Sequence, residues 1–214
     1  MSGLETLFNV HTHHNFGAER AILQTVHDFQ IIPTTYFSVG IHPEQAKDEL
    51  EFPKTFMDGL EQDNCLAIGE IGLDSRYENP EQQEIYYIAQ LELAQKFNKP
   101  ILLHCVNRWD RCRFLHQKYA SGVKIIYHGF NKPAILLSVL EYPDAFISIG
   151  TSVLTNEKLQ SVVKEIPVSR LLVETDTSEI HIENVYQKLA DLKSLSLREF
   201  SGRIFENVQG IFRL

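Results

Sequence analysis

Short apolar runs recur along the whole chain, each followed by an amphipathic or turn-forming stretch, and this alternation restricts the fold more than any other feature. The runs 7–10, 21–26, 36–39, 66–68, 101–103, 124–127, 146–149 and 171–173 read as strands. Helical patterns fall at 52–62, 81–97, 109–119, 133–141, 156–165, 182–193 and 197–212. Strands that alternate with helices make a parallel sheet, and eight of them predict closure into a (β/α)8 barrel of TIM type. Only 15–20 and 27–35 separate the first three strands, which predicts a compact barrel distorted in its first units. No linker or low-complexity stretch interrupts the pattern, so residues 1–214 are expected to form a single domain.

The helix predicted over 81–97 carries Ile85, Ile88, Leu91 and Leu93 mostly at three- and four-residue intervals. Pro80 suits its first turn, and Asn98 with Pro100 stops it. Three cysteines, Cys65, Cys105 and Cys112, are too few and wrongly spaced for a disulfide framework or a cysteine-rich zinc site. They are expected to be small buried residues. No apolar run approaches bilayer length and no basic stretch precedes an apolar one at the start, so a cytoplasmic protein without a membrane partner is expected. The net charge of -8 argues against an extensive non-specific grip on nucleic acid. It leaves room for a phosphodiester held locally by cations, which invert the field inside one cleft.

The chemistry gathers at the strand ends. His11 and His13 lie two residues apart at the end of the first strand, so their imidazoles point the same way while Thr12 points the other. Glu70 follows the fourth strand, His104 the fifth, His128 the sixth and Asp176 the eighth. Polar residues at this one face are the pattern of a barrel with its active site at the strands' carboxyl ends. Any one of these residues has an ordinary reading, a strand-end histidine with one hydrogen bond or a surface glutamate; the recurrence is what argues for a site. Four histidines and two carboxylates are more donors than one tetrahedral ion needs, which points to two divalent ions sharing a bridging ligand. Glu70 has two oxygens to share. One ion would be held by His11, His13, Glu70 and Asp176, the other by Glu70, His104 and His128.

The chain resembles the TatD family of metal-dependent hydrolases, often described as deoxyribonucleases. The matching motifs are His11 with His13, Gly-x-His-Pro at Gly40 to Pro43, Gly-Glu-x-Gly-Leu-Asp at Gly69 to Asp74, and His104. They continue with His128-Gly-Phe, Ser148-Ile-Gly, Glu174-Thr-Asp176 and the closing Glu206-Asn207 pair. The resemblance implies a (β/α) barrel, two divalent metal ions (Mg, Mn or Zn), and hydrolysis of nucleic acid, at DNA ends or single strands. It also implies that Asp176 both holds metal and takes the proton from the attacking water, with Glu70 catalytic through the ions it bridges. His42 would contact the scissile phosphate or support the ligands, unless it is simply a histidine bonded within its turn. Three features depart from the family: Asn9 where an Asp is usual, Ser178 where a proline is usual, and the shortened early region.

Arg76, Arg108, Arg111 and Lys132 follow strand ends closely enough to reach a phosphate, or are ordinary surface charge. Arg108, four residues after His104 at a helix entrance, is the strongest of them as a substrate-binding residue. Trp109 either stacks on a base or packs beneath its loop, while His14 and His181 read as bystanders. Two other classes of function remain. One is a phosphomonoesterase or an amidohydrolase-like hydrolase of C-N or ester bonds, against which Glu70 stands where a carbamylated Lys would bridge the metals; the other is a non-catalytic metal-binding scaffold. The sequence does not fix the oligomeric state.

Overall fold

The computed structural model describes residues 7–14, 21–25, 35–47 and 49–214. The predicted short connections at 15–20 and 27–35, and with them the distortion expected of the first units, lie outside the described residues except for residue 35. The chain divides into two compact units, one made of Met1–Leu23 with His128–Leu214 and the other of Gln24–Tyr127.

In the first unit, β1 (Asn9–Thr12) lies parallel to β2 (Ala21–Thr25), with Asn9 opposite Ala21 and Thr12 opposite Leu23. β7 (Ala145–Ile149) is parallel to β8 (Leu171–Val173) in continuous register from Ile147↔Leu171 to Ile149↔Val173. The last strand also meets the first. A parallel bridge joins Thr12 to Asp176, and the His13 amide donates to the Asp176 carbonyl at 2.9 Å. That adjacency is what closure of a barrel requires of strands 1 and 8. The covering helices α6 (Ile182–Leu192) and α7 (Leu197–Phe212) bury Val185, Tyr186 and Leu189 on one and Phe200, Ile204 and Val208 on the other, spacings of three and four that form one stripe each. Asn207 ties α7 to the start of β8 by donating to the carbonyls of Val168 and Leu171 at 2.8 and 2.9 Å. α4 (Leu136–Leu140) precedes β7, and α5 (Glu157–Glu165), capped by the Asn156 side chain at the Leu159 amide, lies between β7 and β8. The helix expected over 133–141 is split, because Pro133 opens a three-residue 3-10 turn, Pro133–Ile135, before the α-helical turn begins.

In the second unit, β3 (Tyr36–Val39), β4 (Cys65–Asp74), β5 (Ile101–Val106) and β6 (Ile125–Tyr127) pair in chain order, all parallel. Their helices are α1 (Lys54–Leu60), α2 (Pro80–Phe97) and α3 (Trp109–Tyr119). Two expectations need correcting here. β4 runs ten residues, far beyond 66–68, so Glu70 sits inside the strand and not after it. The register shifts between Ile68 and Ile71, and the glycines on either side of Glu70 allow this irregular, close approach to β5. A Cβ on Gly69 would lie 2.3 Å from the Cβ of Leu102, and one on Gly72, at φ +151°, 1.8 Å from the His104 carbonyl oxygen.

The second correction concerns the buried face of α2. Ile85 is 47% exposed, and the side turned inward carries Gln83, Tyr86, Tyr87, Gln90, Leu91 and Ala94. The two glutamines are buried because they satisfy backbone groups of the loops beside them. Gln90 accepts from the Ile41 amide at 2.6 Å and donates to its carbonyl at 3.2 Å, bracketing the turn that carries His42. Gln83 accepts from the Asp74 amide at 2.8 Å, at the end of β4.

Candidate metal centre

The first unit brings together His11, His13 and Asp176, whose ligand atoms lie within 4.8 Å of one another. His11 is wholly buried on β1, and both it and His13 turn Nε2 to the same oxygen, Asp176 Oδ1, at 3.4 and 3.5 Å. Asp176 reaches that position from a left-handed backbone, φ 55°, which aspartate tolerates better than most residues. Its amide donates to the His11 carbonyl at 3.1 Å, so the turn is fixed to β1 on both sides. Asn9, where the family usually has Asp, does not face these donors with a charge. It donates to Thr175 Oγ1 at 2.8 Å and accepts from the Thr175 amide at 3.2 Å, locking the residue that precedes Asp176.

His128 packs its ring against His11, centroids 4.8 Å apart. It also faces a carboxylate that sequence reasoning missed. Glu174 is completely buried, its Oε1 accepting from the Gly129 amide at 2.6 Å and lying 3.5 Å from His128 Nδ1. The position was visible in the Glu174-Thr-Asp176 motif, but its burial and partner depend on strand packing. His14, as expected, stands apart and hydrogen-bonds the Thr177 carbonyl through Nε2 at 2.8 Å, and His181 is exposed ahead of α6.

The second unit brings together His42, Glu70 and His104, again with ligand atoms within 4.8 Å. His104 turns Nδ1 to Glu70 Oε1 at 3.2 Å and Nε2 to Asp74 Oδ2 at 2.8 Å. Asp74, quoted in the sequence motif but given no role there, is 1% exposed. Burial alone would raise its carboxyl pKa, but hydrogen bonds from Arg76 and His104 outweigh that and hold it well below the usual carboxylate range. Arg76 thus pairs its guanidinium with Asp74, and Arg111 pairs its own with Glu84 at 2.5 and 2.8 Å. Arg108 is exposed just before α3 and lines a small cavity of ≈ 30 Å³ with Leu73, Asp74, Gln83 and Glu84. Trp109 stacks on Tyr127, centroids 5.8 Å apart, which favours packing over base stacking. The three cysteines are buried, as expected.

His42 caps its own turn and also lies beside His104. Its ring lies 4.3 Å from that of His104, and its Nδ1 accepts from the Glu44 amide at 3.2 Å. An accepting Nδ1 places the proton of the neutral ring on Nε2. Burial first, and the nearby His104 second, lower the His42 pKa to about 4, so the ring is neutral at physiological pH. It is therefore an N–H donor aimed away from its own turn.

These donors suit a divalent ion. Two ligand atoms each about 2.1 Å from one tetrahedral ion sit roughly 3.4 Å apart. The separations of 3.4 and 3.5 Å between the two Nε2 atoms and Asp176 Oδ1 match that edge and are long for hydrogen bonds. Imidazole nitrogens beside carboxylate oxygens are the mixed set that zinc and manganese accept.

The profile described as TatD related DNase matches residues 2–213. The chain belongs to the TatD-related DNase family. An uncharacterized metal-dependent hydrolase of Haemophilus influenzae is 32% identical over 199 residues, covering 84% of this chain and 79% of its own. A protein of Pantoea vagans named 3'-5' ssDNA/RNA exonuclease TatD is 26% identical over 214 residues, covering 83% of this chain and 77% of its own. The crystal structure of a TatD homolog from Escherichia coli superposes with a TM-score of 0.79 at 20% identity, covering 98% of both chains. A TatD-family hydrolase from Entamoeba histolytica gives 0.79 at 18% identity, covering 96% of this chain and 97% of that one. The fold of this TatD-family chain is accordingly the TIM-type (β/α)8 barrel, as the strand alternation predicts.

Proposed function

We propose that residues 1–214 form a single cytoplasmic hydrolase domain that cleaves phosphodiester bonds of nucleic acid, at DNA ends or in single strands, with two divalent ions. The observation that carries this reading is the convergence of His11 Nε2 and His13 Nε2 on one Asp176 oxygen at ligand-to-ligand distances. The names of the relatives support the substrate class: metal-dependent hydrolase in one, ssDNA/RNA exonuclease in another. That no helix among the described residues is long and apolar enough to cross a membrane agrees with a cytoplasmic location.

The proposed ligands are His11, His13, Glu70, His104, His128 and Asp176, with Glu70 as the carboxylate shared by both ions. When bound, such ions lower the pKa of a coordinated water and screen the charge of a phosphate, which is what in-line hydrolysis needs. Zinc or manganese suits this histidine-rich set better than magnesium, which prefers oxygen donors. Asp176, 39% exposed at its side chain, accepts the proton of the attacking water. His42 donates a hydrogen bond from Nε2–H to a non-bridging phosphate oxygen, a role its neutral ring fills at physiological pH. Arg108 contacts the phosphate from the start of α3.

The test is hydrolysis of labelled single-stranded DNA and RNA, an aryl phosphodiester and an aryl phosphomonoester, each with zinc, manganese and magnesium. Asp176→Ala is expected to lose at least about 100-fold in rate while keeping the wild-type circular dichroism. Turnover of the monoester alone, or activity within a few fold of wild type in Asp176→Ala, overturns the reading.

A further inference from the structure

The end of β4 carries an arrangement that the ligand set does not explain. Asp74 is buried, and its carboxylate is gripped from three directions. The Arg76 amide donates to Oδ1 at 2.8 Å, the turn that an aspartate makes with the residue two ahead of it. The Arg76 guanidinium donates to both oxygens, from Nε at 3.0 Å to each and from Nη2 to Oδ2 at 2.5 Å. The third donor is His104 Nε2, 2.8 Å from Oδ2. From below, Gln83 fixes the Asp74 amide. Such a carboxylate cannot rotate to suit its neighbour; the neighbour must suit it.

We infer that Asp74, clamped by Arg76, is a positioning residue that fixes the proton of His104 on Nε2 and thereby presents Nδ1, on the Glu70 side, as the metal-ligating atom. Both ring nitrogens face carboxylates, which when ionised only accept; Nε2 makes the shorter contact, 2.8 Å to the immobilised Asp74 against 3.2 Å from Nδ1 to Glu70, so Nε2 is the one assigned the hydrogen. The other nitrogen, 3.2 Å from Glu70 Oε1, then keeps its lone pair for an ion shared with that carboxylate. Carboxylates placed behind a ligating imidazole orient the ring and raise its basicity, and losing one weakens metal binding about 10–100-fold. The inference rests on the metal-centre reading above and adds to it which atom binds and what holds it. It also gives the clamp a reason: Arg76 holds Asp74 for His104 instead of reaching for substrate.

Asp74→Asn separates positioning from bulk. The amide has nearly the shape of the carboxylate but a single accepting oxygen, so it cannot receive from Arg76 at both ends and from His104 as well. With the oxygen held by the Arg76 amide and Nε at the Oδ1 position, the NH2 group faces His104 Nε2, which must accept, and the ring proton moves to Nδ1. Long-range proton–nitrogen spectra of histidine-labelled protein, with the His104 signals assigned by their loss in His104→Gln, are recorded with and without zinc. In the wild type, His104 is expected to carry its proton on Nε2 with zinc on Nδ1. In Asp74→Asn that signature disappears and zinc affinity, measured by chelator competition, falls about 10–100-fold. Zinc on Nε2 in the wild type, or an Asp74→Asn protein with unchanged signature and affinity, overturns the inference. Should Asp74→Asn not fold, Arg76→Met loosens the clamp without removing the acceptor. It is expected to broaden or shift the His104 Nε2–H signal and weaken zinc a few fold, and no change in either overturns the inference. Wild-type protein that binds no zinc refutes the metal centre instead, and the zinc-free spectra still report where the His104 proton sits.

Discussion

Tyr186→Phe removes a single oxygen atom, and the structure predicts a large effect. The Tyr186 hydroxyl donates to the Phe8 carbonyl at 2.9 Å and accepts from the Phe8 amide at 3.1 Å, with the side chain entirely buried on α6. Phe8 immediately precedes β1, the strand that carries His11. Taking a hydroxyl away from a buried N–H and C=O costs about 2–4 kcal/mol, because phenylalanine fills the space and water cannot replace the oxygen. For a chain of this length that lowers Tm by roughly 5–12 °C. The hydroxyl also has a pH signature. Burial raises the Tyr186 pKa above its ordinary value, so the folded state holds the proton where the unfolded chain releases it. Its stability contribution is complete below the unfolded pKa of about 10 and is lost as pH rises from there towards the folded pKa. Urea unfolding followed by circular dichroism at pH 7 and at several values above 10 measures both effects. Wild type should weaken above pH 10 more steeply than Tyr186→Phe. A cost below about 0.5 kcal/mol at pH 7, with parallel alkaline slopes, refutes the reasoning.

Gly72→Ala should fail to give stable protein, since its Cβ would meet the His104 carbonyl oxygen at 1.8 Å and the position holds φ +151°; soluble yield and thermal melting check it, and a melt within 3 °C of wild type contradicts it. Ser196→Ala should cost about 1 kcal/mol, because the Ser196 hydroxyl accepts from the Glu199 amide at the start of α7. Hydrogen bonds from Ser196 lower the Glu199 pKa, so this cap contributes above the ordinary glutamate pKa and fades as pH falls through the lowered one. The difference in urea midpoint between wild type and Ser196→Ala should therefore shrink in acid, and a constant difference would show that the carboxylate plays no part.

The barrel was legible because its signals are local. Residue spacing marked the helices over 109–119 and 197–212 to the residue, and the parity of His11 and His13 gave their common direction. What escaped the sequence depends on neighbours distant in the chain. Glu70 reads as a strand-end residue until the glycines beside it let β4 press against β5 and continue to Asp74. Ile85 and Ile88 read as the buried stripe of α2 because they are apolar, yet Gln83 and Gln90 face inward to serve the backbone at Asp74 and Ile41. Glu174 and Asp74 are both motif residues, but their pairing with His128 and His104 follows from side-chain direction, which composition does not encode. The same holds for Arg76 and Arg111, whose positive charge looks available until Asp74 and Glu84 claim it.

The central claim is a pair of divalent ions sharing Glu70, and counting bound metal tests it most directly. Elemental analysis of protein purified in the presence of zinc, with wild type and Glu70→Ala side by side and folding verified by circular dichroism, should give two ions per wild-type chain. Occupancy should fall at both positions in the variant. Equal stoichiometry in the two proteins, or wild-type protein that retains no metal, would contradict the account.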